Sequence, residues 1–224
     1  MSVKISYLKS LSKKDSSNLV LFTDEKFNIT GIKKYISKSE YSFVSDLIKT
    51  KEIKKKIHSF DLSSKRKIIL VSLMKNIKNA DLENLGAKFY DLFKDLKQNE
   101  YCLNTDTIPS YLKNITGYFL HGLKLKSYTF DKYKSKKNKK NISIVVIGKN
   151  KPSLKDQIKF KAIEEGTFYT RDLVSEPGNI LHPDEYAKRL NSLKKDGLKI
   201  NIYDEKKLKK LGMNTLLGVG QGSI

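Results

Sequence analysis

The sequence has few of the residues that build disulfides and metal sites. Its 224 residues include one cysteine, Cys102, which excludes an internal disulfide and is typical of a protein from a reducing cytosol. The three histidines, His58, His121 and His182, are far apart and form neither a His-Glu-x-x-His helix nor a Cys/His cluster. We therefore interpret each histidine as structural or exposed. The sequence yields no candidate catalytic, metal-binding or substrate-binding residue.

Long apolar runs are also missing. No stretch approaches the roughly 20 apolar residues that a helix needs to cross a bilayer, and the N-terminus has no apolar run suited to secretion. We therefore expect no membrane partner and a cytoplasmic location.

Arginine is nearly absent, although the formal net charge is +21 at pH 7. Such an excess is typical of proteins that bind nucleic acid or another polyanion. The alternative is a lysine-rich coding bias, which we favour because arginine is the better reader of phosphates and bases. If the charge instead serves a polyanion partner, we expect weak nucleic-acid binding at the basic surface formed by residues 132–140, which contain six lysines.

Hydrophobic patterning predicts an α/β fold. Short apolar runs predict strands near residues 3–7, 19–22, 67–73, 101–103 and 142–147, with an edge strand around Ile57 and Phe60. Apolar residues at helical spacing predict helices around residues 41–48, 82–96, 109–123 and 153–174. Because the strands are apolar throughout and alternate with amphipathic helices, we expect a mixed or mainly parallel sheet covered on both faces.

The long helix at 153–174 is predicted to bury one apolar stripe and to end at Glu176, before a proline. The stripe is formed by Leu154, Ile158, Ala162, Tyr169 and Leu173.

Capping signals organise the region that follows. Pro183 is expected as the first residue of a helix, and Gly197 as the cap that ends it. Residues 198–202 alternate apolar and polar side chains as a strand does. Asp204 is expected to cap a second short helix, which Gly212 ends.

A glycine-rich segment closes the sequence. Residues 218–223 read Gly-Val-Gly-Gln-Gly-Ser, without the Lys-Ser/Thr of a P-loop and without the full dinucleotide fingerprint. We interpret them as the end of a strand in a tightly packed sheet. The region after residue 177 is therefore predicted as helix-strand-helix-strand.

Two segments of this region, in the same order and at similar separation, resemble the leucyl aminopeptidase (cytosol aminopeptidase) family. Residues 171–179 read Arg-Asp-Leu-Val-Ser-Glu-Pro-Gly-Asn, where the family reads close to R-D-L-V-N-E-P-G-N. Residues 211–223 are similar to the family's L-G-M-x-x-L-L-x-V-G-Q-G-S, and residues 127–134 are more faintly similar to S-Y-x-F-D-x-Y-K. A departure is His182, where the family usually has Thr or Ser as the helix cap.

The resemblance implies a macro-like N-terminal α/β domain over residues 1–150, a connecting helix over 151–176 and the truncated start of a catalytic domain over 177–224. It implies a metalloaminopeptidase that removes large apolar residues from peptides, uses two divalent metal ions (Mn or Zn) and forms a homo-hexamer. The family's metal ligands and catalytic residues lie beyond the Gly-Gln-Gly-Ser strand. We therefore expect these 224 residues to bind no metal and to lack activity. The alternative is a stand-alone basic macro-like module that binds nucleic acid or a phosphorylated ligand.

Overall fold

The computed structural model describes residues 3–9, 18–50, 55–97, 99–136 and 141–221. The chain divides into two compact units, Met1–Thr167 and Phe168–Ile224. The boundary falls inside a long helix, whereas the predicted domains met at residues 150 and 176. That three-part division stays a prediction.

A six-stranded sheet forms the centre of the first unit. The strands are β1 (Val3–Tyr7), β2 (Asn18–Asp24), β3 (Ile57–Ser63), β4 (Arg66–Leu73), β5 (Glu100–Asn104) and β6 (Ile142–Ile147). Their order in the sheet is β1-β6-β5-β2-β4-β3, and every neighbouring pair is parallel except β3 with β4. The predicted α/β fold with a mixed, mainly parallel sheet is confirmed, and the predicted edge strand around Ile57 and Phe60 is β3.

Helices cover both faces of this sheet: α1 (Lys38–Thr50), α2 (Asn79–Phe93), α3 (Ile115–Lys126) and part of α4 (Leu154–Ser175), with 3₁₀ turns at Thr30–Tyr35 and Thr105–Thr107. Successive residues of β2 enter opposite cores because strand side chains alternate between faces. Val20 and Phe22 join the core beneath α2 and α3. Leu19 and Leu21 join the core that contains Val44 of α1.

Glycines allow α2 and α3 to pack very closely. A Cβ atom added to Gly86 would lie 1.9 Å from the Phe119 carbonyl oxygen, and one added to Gly122 would lie 1.9 Å from the Glu83 carbonyl oxygen. No side chain fits at either distance. The two glycines therefore set the separation between the helices.

The structure differs from the predicted helices in three details. α3 begins at Ile115 and not near Pro109, because Asn114 has a left-handed backbone (φ 57°) that a right-handed helix cannot include. Leu92, one of the apolar residues whose helical spacing predicts the helix around residues 82–96, is 54% exposed. The expected stripe of α4 is also not its buried face, since Leu154 is 72% and Ile158 61% exposed.

The inward face of α4 is polar and aromatic. Its one buried residue in the described structure is Glu164, and Phe160, one turn earlier, packs edge-to-face on Tyr118 of α3 at 5.1 Å between ring centroids. Residues four apart share one side of a helix. Apolar spacing alone therefore predicted the wrong buried face for α4.

The second unit consists of the end of α4 followed by short helices: α5 (Pro183–Ser192), a 3₁₀ turn (Leu193–Asp196), α6 (Glu205–Lys210) and α7 (Asn214–Gly220). The capping predictions are confirmed. Pro183 begins α5, and Gly197 and Gly212 adopt positive φ values of 87° and 70° after their helices. The Asp204 carboxylate accepts a hydrogen bond from the Lys207 N–H at 2.8 Å at the start of α6.

The two strands predicted in this unit are absent from its described residues. Residues 198–202 have no regular secondary structure, and residues 214–220 form α7 instead of a glycine-rich strand. A strand is stabilised by hydrogen bonds to a neighbouring strand. Between residues 168 and 221 the structure describes no strand that could provide them.

Candidate ligand site between α3 and α4

The three histidines do not come together. His58 lies in β3, with its ring edge-to-face to Phe27 at 5.2 Å, and His182 is exposed immediately before α5. His121 is buried in α3. Within the described ranges, no group of three His, Cys, Asp or Glu side chains could hold a metal ion. None of the helices there is long and apolar enough to cross a bilayer.

The predicted basic surface is described in part. Residues 132–136 are exposed, and residues 137–140 lie outside the described residues. Cys102 is fully buried in the centre of β5, away from solvent.

The first unit contains a cavity of about 250 Å³ bordered by β1, α3 and α4. Ile5, Leu120 and Phe160 provide apolar wall. Gly117 makes room for the Phe160 ring, because a Cβ atom at that position would lie 2.3 Å from the ring. The glycine therefore allows α4 to approach α3 where the cavity forms.

A buried ion pair lies in the wall of this cavity. The Lys124 ammonium donates to Glu164 Oε1 at 3.2 Å, and the two side chains are only 14% and 10% exposed. Removing either partner would leave a buried charge unpaired, which is strongly unfavourable. The pair therefore fastens α4 to α3.

His121 is one of the residues that line the same cavity. Its Nδ1 lies 3.0 Å from Glu83 Oε1, and because a carboxylate accepts, this nitrogen carries the proton. Nε2 is buried and has no hydrogen-bond partner, although buried polar atoms are nearly always paired. In the neutral ring Nε2 is an acceptor that a ligand donor can satisfy.

Tyr7 at the end of β1 is a further donor in the lining. Burial raises the pKa of its hydroxyl, and the negative charge of Glu164 raises it further. The hydroxyl therefore keeps its proton at neutral pH. The cavity lining thus combines a cation, an anion, a hydrogen-bond donor and an acceptor with an apolar wall. Such a combination is suited to binding a small polar ligand.

The carboxyl ends of β5 and β6 are the usual ligand position in an α/β sheet, but here their polar groups bind one another. The Asp106 carboxylate accepts from the Lys149 N–H at 2.6 Å, and the Thr105 hydroxyl donates to the Ile147 carbonyl at 2.8 Å. The Asn150 amide donates to the Thr105 carbonyl at 3.1 Å. These groups connect two loops and leave little hydrogen-bonding capacity for a ligand.

Sequence reasoning missed the cavity because its charged partners are 40 positions apart. No local pattern pairs Lys124 with Glu164. The signal that could have pointed to it is the pair of glycines inside the α3 pattern, Gly117 and Gly122, because a glycine within a helix commonly marks close packing.

Known proteins resemble this chain in sequence and in fold. Residues 168–224 match the model of the cytosol aminopeptidase family, catalytic domain. This match confirms the predicted resemblance to the leucyl aminopeptidase (cytosol aminopeptidase) family. Probable cytosol aminopeptidases of Phytoplasma mali and Agrobacterium fabrum are each 44% identical over 112 residues, which is 47% of this chain and 22% of the relative. The matched stretch thus spans about a fifth of the length of these curated cytosol aminopeptidases.

Solved structures extend the likeness to the fold of nearly the whole chain. A mutant of tomato leucine aminopeptidase has a TM-score of 0.67 at 18% identity, covering 94% of this chain and 46% of its own. The bottromycin maturation enzyme BotP, solved in complex with Mn, has a TM-score of 0.59 at 16% identity, covering 88% and 40%. At these identities the comparison supports a shared fold and nothing finer.

Proposed function

We propose that this chain is the N-terminal part of a metal-dependent leucyl aminopeptidase that hydrolyses large apolar N-terminal residues from peptides. The observation that carries the proposal is the match of residues 168–224 to the cytosol aminopeptidase catalytic domain. The likeness of the α/β unit and its helices to tomato leucine aminopeptidase supports it. In this proposal the first unit is a macro-like domain, and the complete enzyme is a cytoplasmic homo-hexamer.

The proposed enzyme uses two divalent metal ions, Mn or Zn, which activate water and polarise the substrate carbonyl when bound. The described residues do not fit such a centre, since none of their His, Cys, Asp and Glu side chains form a group of three. We assign the metal ligands to residues outside the described ranges. The role proposed for the 224 residues is to form the scaffold that leads to the catalytic domain.

A pair of assays tests this proposal. The protein encoded by the gene's complete reading frame and the chain of residues 1–224 are each purified. Both are tested with leucine p-nitroanilide, with and without added Mn or Zn. We expect metal-dependent turnover by the complete product, lost on chelation and restored by metal, and no turnover by residues 1–224. A complete product that stays inactive with both metals would refute the aminopeptidase proposal. Metal-dependent turnover by the purified 1–224 chain would refute the assigned scaffold role.

The alternative, a stand-alone module for nucleic acid or a phosphorylated ligand, gains no support from the comparisons, whose matching family model and named curated relatives are cytosol aminopeptidases. Its basis is the net charge of +21 and the exposed part of the basic surface at residues 132–136.

A further inference from the structure

We infer that the cavity between α3 and α4 binds a free α-amino acid with an apolar side chain. The inference rests on the size, the charge balance and the unpaired polar atom of the cavity, together with its apolar wall. It does not depend on the proposed peptidase activity, although such an amino acid is the kind of product that this activity would release.

The cavity is the right size for a molecule of this class. Its volume of about 250 Å³ corresponds to roughly eight water molecules at about 30 Å³ each. It is smaller than the pockets of about 300–1,000 Å³ that hold drug-sized ligands. Leucine, with its nine non-hydrogen atoms, is of matching size.

The charges favour a zwitterion over a singly charged ligand. The lining carries two cations and two anions, arranged as the buried Lys124–Glu164 pair and the exposed Lys161–Glu165 pair, whose charged atoms are 3.7 Å apart. The Lys124 ammonium has three donors and the Glu164 carboxylate has two oxygens, so each has capacity beyond the bond that joins them. A ligand with both charges can use that capacity on both sides. A ligand with one charge would add an uncompensated charge to a lining whose two cations and two anions already balance, and burying such a charge is unfavourable.

The unpaired atom supplies the third contact. Nε2 of His121 is buried, accepts no hydrogen bond and belongs to a ring that lines the cavity. An ammonium group has several donors, so it can bind a carboxylate and, once the His121 ring turns to expose this nitrogen, the nitrogen as well. The Tyr7 hydroxyl, which keeps its proton, is a donor for the ligand carboxylate.

The wall sets the preference for apolar side chains. Ile5, Leu120 and Phe160 offer no hydrogen bonds to a polar side chain, and burying a polar group without a partner is unfavourable. We therefore expect leucine, isoleucine and methionine to bind more tightly than serine or aspartate.

Amide NMR titration of the isotope-labelled 224-residue chain tests the inference. L-Leucine should give saturable shifts at Gly117, His121 and Lys124 with a dissociation constant below about 10 mM. 4-Methylpentanoate lacks the ammonium group and 3-methylbutylamine lacks the carboxylate, and each should bind at least about tenfold more weakly, or about 1.4 kcal/mol. The absence of saturable shifts, or equal binding by either analogue, would overturn the inference.

A double variant and its matched control localise the effect. Lys124→Met with Glu164→Leu removes both buried charges, a change that folded proteins often tolerate, and should abolish leucine binding. Lys209→Met with Glu205→Leu removes an exposed pair 2.7 Å apart on α6 and should leave binding unchanged. Wild-type affinity in the first variant would refute this location. If that variant does not fold, the analogue comparison still decides. Because these readouts are binding signals, their failure is distinguishable from a failure of the peptidase assay.

Discussion

The two units of this chain form helices equally well but differ sharply in burial. In the first unit, aromatic and aliphatic side chains such as Phe119 and Leu70 are completely buried on either side of the sheet. In the second, no described apolar residue from 168 to 221 is buried, and Leu216 is 52% exposed. The caps of α5 and α6 nevertheless form as predicted. Helix ends therefore depend on nearby residues, whereas a core requires a sheet on which side chains can converge.

This contrast has a direct consequence for stability. Burial of apolar surface provides the main favourable free energy of folding, and short helices are marginal without it. The stability of the 224-residue chain should therefore lie almost entirely in the first unit.

Hydrogen exchange should separate the units most strongly. We expect amides of Ile68–Leu73 in β4 to exchange through global unfolding, and amides of residues 198–219 to exchange through local opening. At a global stability of about 5 kcal/mol or more, the two sets differ by at least on the order of 10⁴ in protection. Exchange of the intact chain at neutral pH, followed by mass spectrometry of its peptic fragments, measures both segments. Comparable protection in the two segments would show that the second unit is stable by itself.

Truncation of apolar side chains should show the next largest difference. The Phe119 ring is fully buried, 5.7 Å from that of Phe22 and 5.8 Å from that of Phe89. Phe119→Ala should lower the free energy of unfolding by about 3–5 kcal/mol, measured by urea titration. Leu216→Ala, the matched change in α7, should stay within about 0.5 kcal/mol. Similar losses in both variants would contradict the difference in burial.

Adding a methyl group, instead of removing side-chain atoms, should also destabilise the first unit more than the second. Gly122→Ala places a Cβ atom 1.9 Å from the Glu83 carbonyl oxygen, so α2 and α3 must separate. We expect a loss of about 1–3 kcal/mol or more, seen as a lower melting temperature. Gly218→Ala in α7 meets nothing within 4 Å and, through helix propensity, should cost nothing. A melting temperature unchanged in the Gly122 variant would refute the close helix contact.

The smallest expected effect is a pH-dependent one at the start of α1. Ser37 and Glu40 form a capping box: the Glu40 N–H donates to the Ser37 hydroxyl at 3.2 Å, and the Ser37 N–H donates to the Glu40 carboxylate at 2.8 Å. Burial alone would raise the pKa of Glu40, but hydrogen bonds from Ser37 and from the Arg66 guanidinium outweigh it and lower the pKa. The folded-state pKa thus lies below that of the unfolded chain. The stabilisation is complete above the unfolded pKa and is lost as pH falls through the folded pKa.

Glu40→Gln keeps an acceptor for the Ser37 N–H but removes the charge that faces Arg66. It should therefore cost up to about 1 kcal/mol near neutral pH, and its difference from the wild type should shrink below about pH 4. Urea titrations at several pH values measure it. Glu25→Gln, in the exposed turn after β2, is the matched control and should have little effect. A loss that stays constant down to low pH would exclude the ionised carboxylate as its cause.

Sequence reasoning succeeded where a short stretch of chain contains the whole signal. The apolar run of β4 and the left-handed glycine at Gly197 each depend on residues within a few positions of one another. The same reasoning failed where a partner comes from elsewhere. Residues 198–202 alternate as a strand but have no described strand to pair with, and Leu154 belongs to an apolar stripe that the fold leaves exposed.

Residues a few positions apart were enough to predict the type and order of most elements, the helix caps and the resemblance at residues 171–179 and 211–223. Backbone preference and hydrophobic periodicity act over such short distances. The order of the strands in the sheet and the inward face of α4 became known only from the folded chain. The same is true of the contact between Lys124 and Glu164 and of the burial of His121 Nε2 without a partner. These features depend on packing between segments tens of residues apart. Burial and desolvation set the free energy of that packing, and no local pattern of residues indicates it.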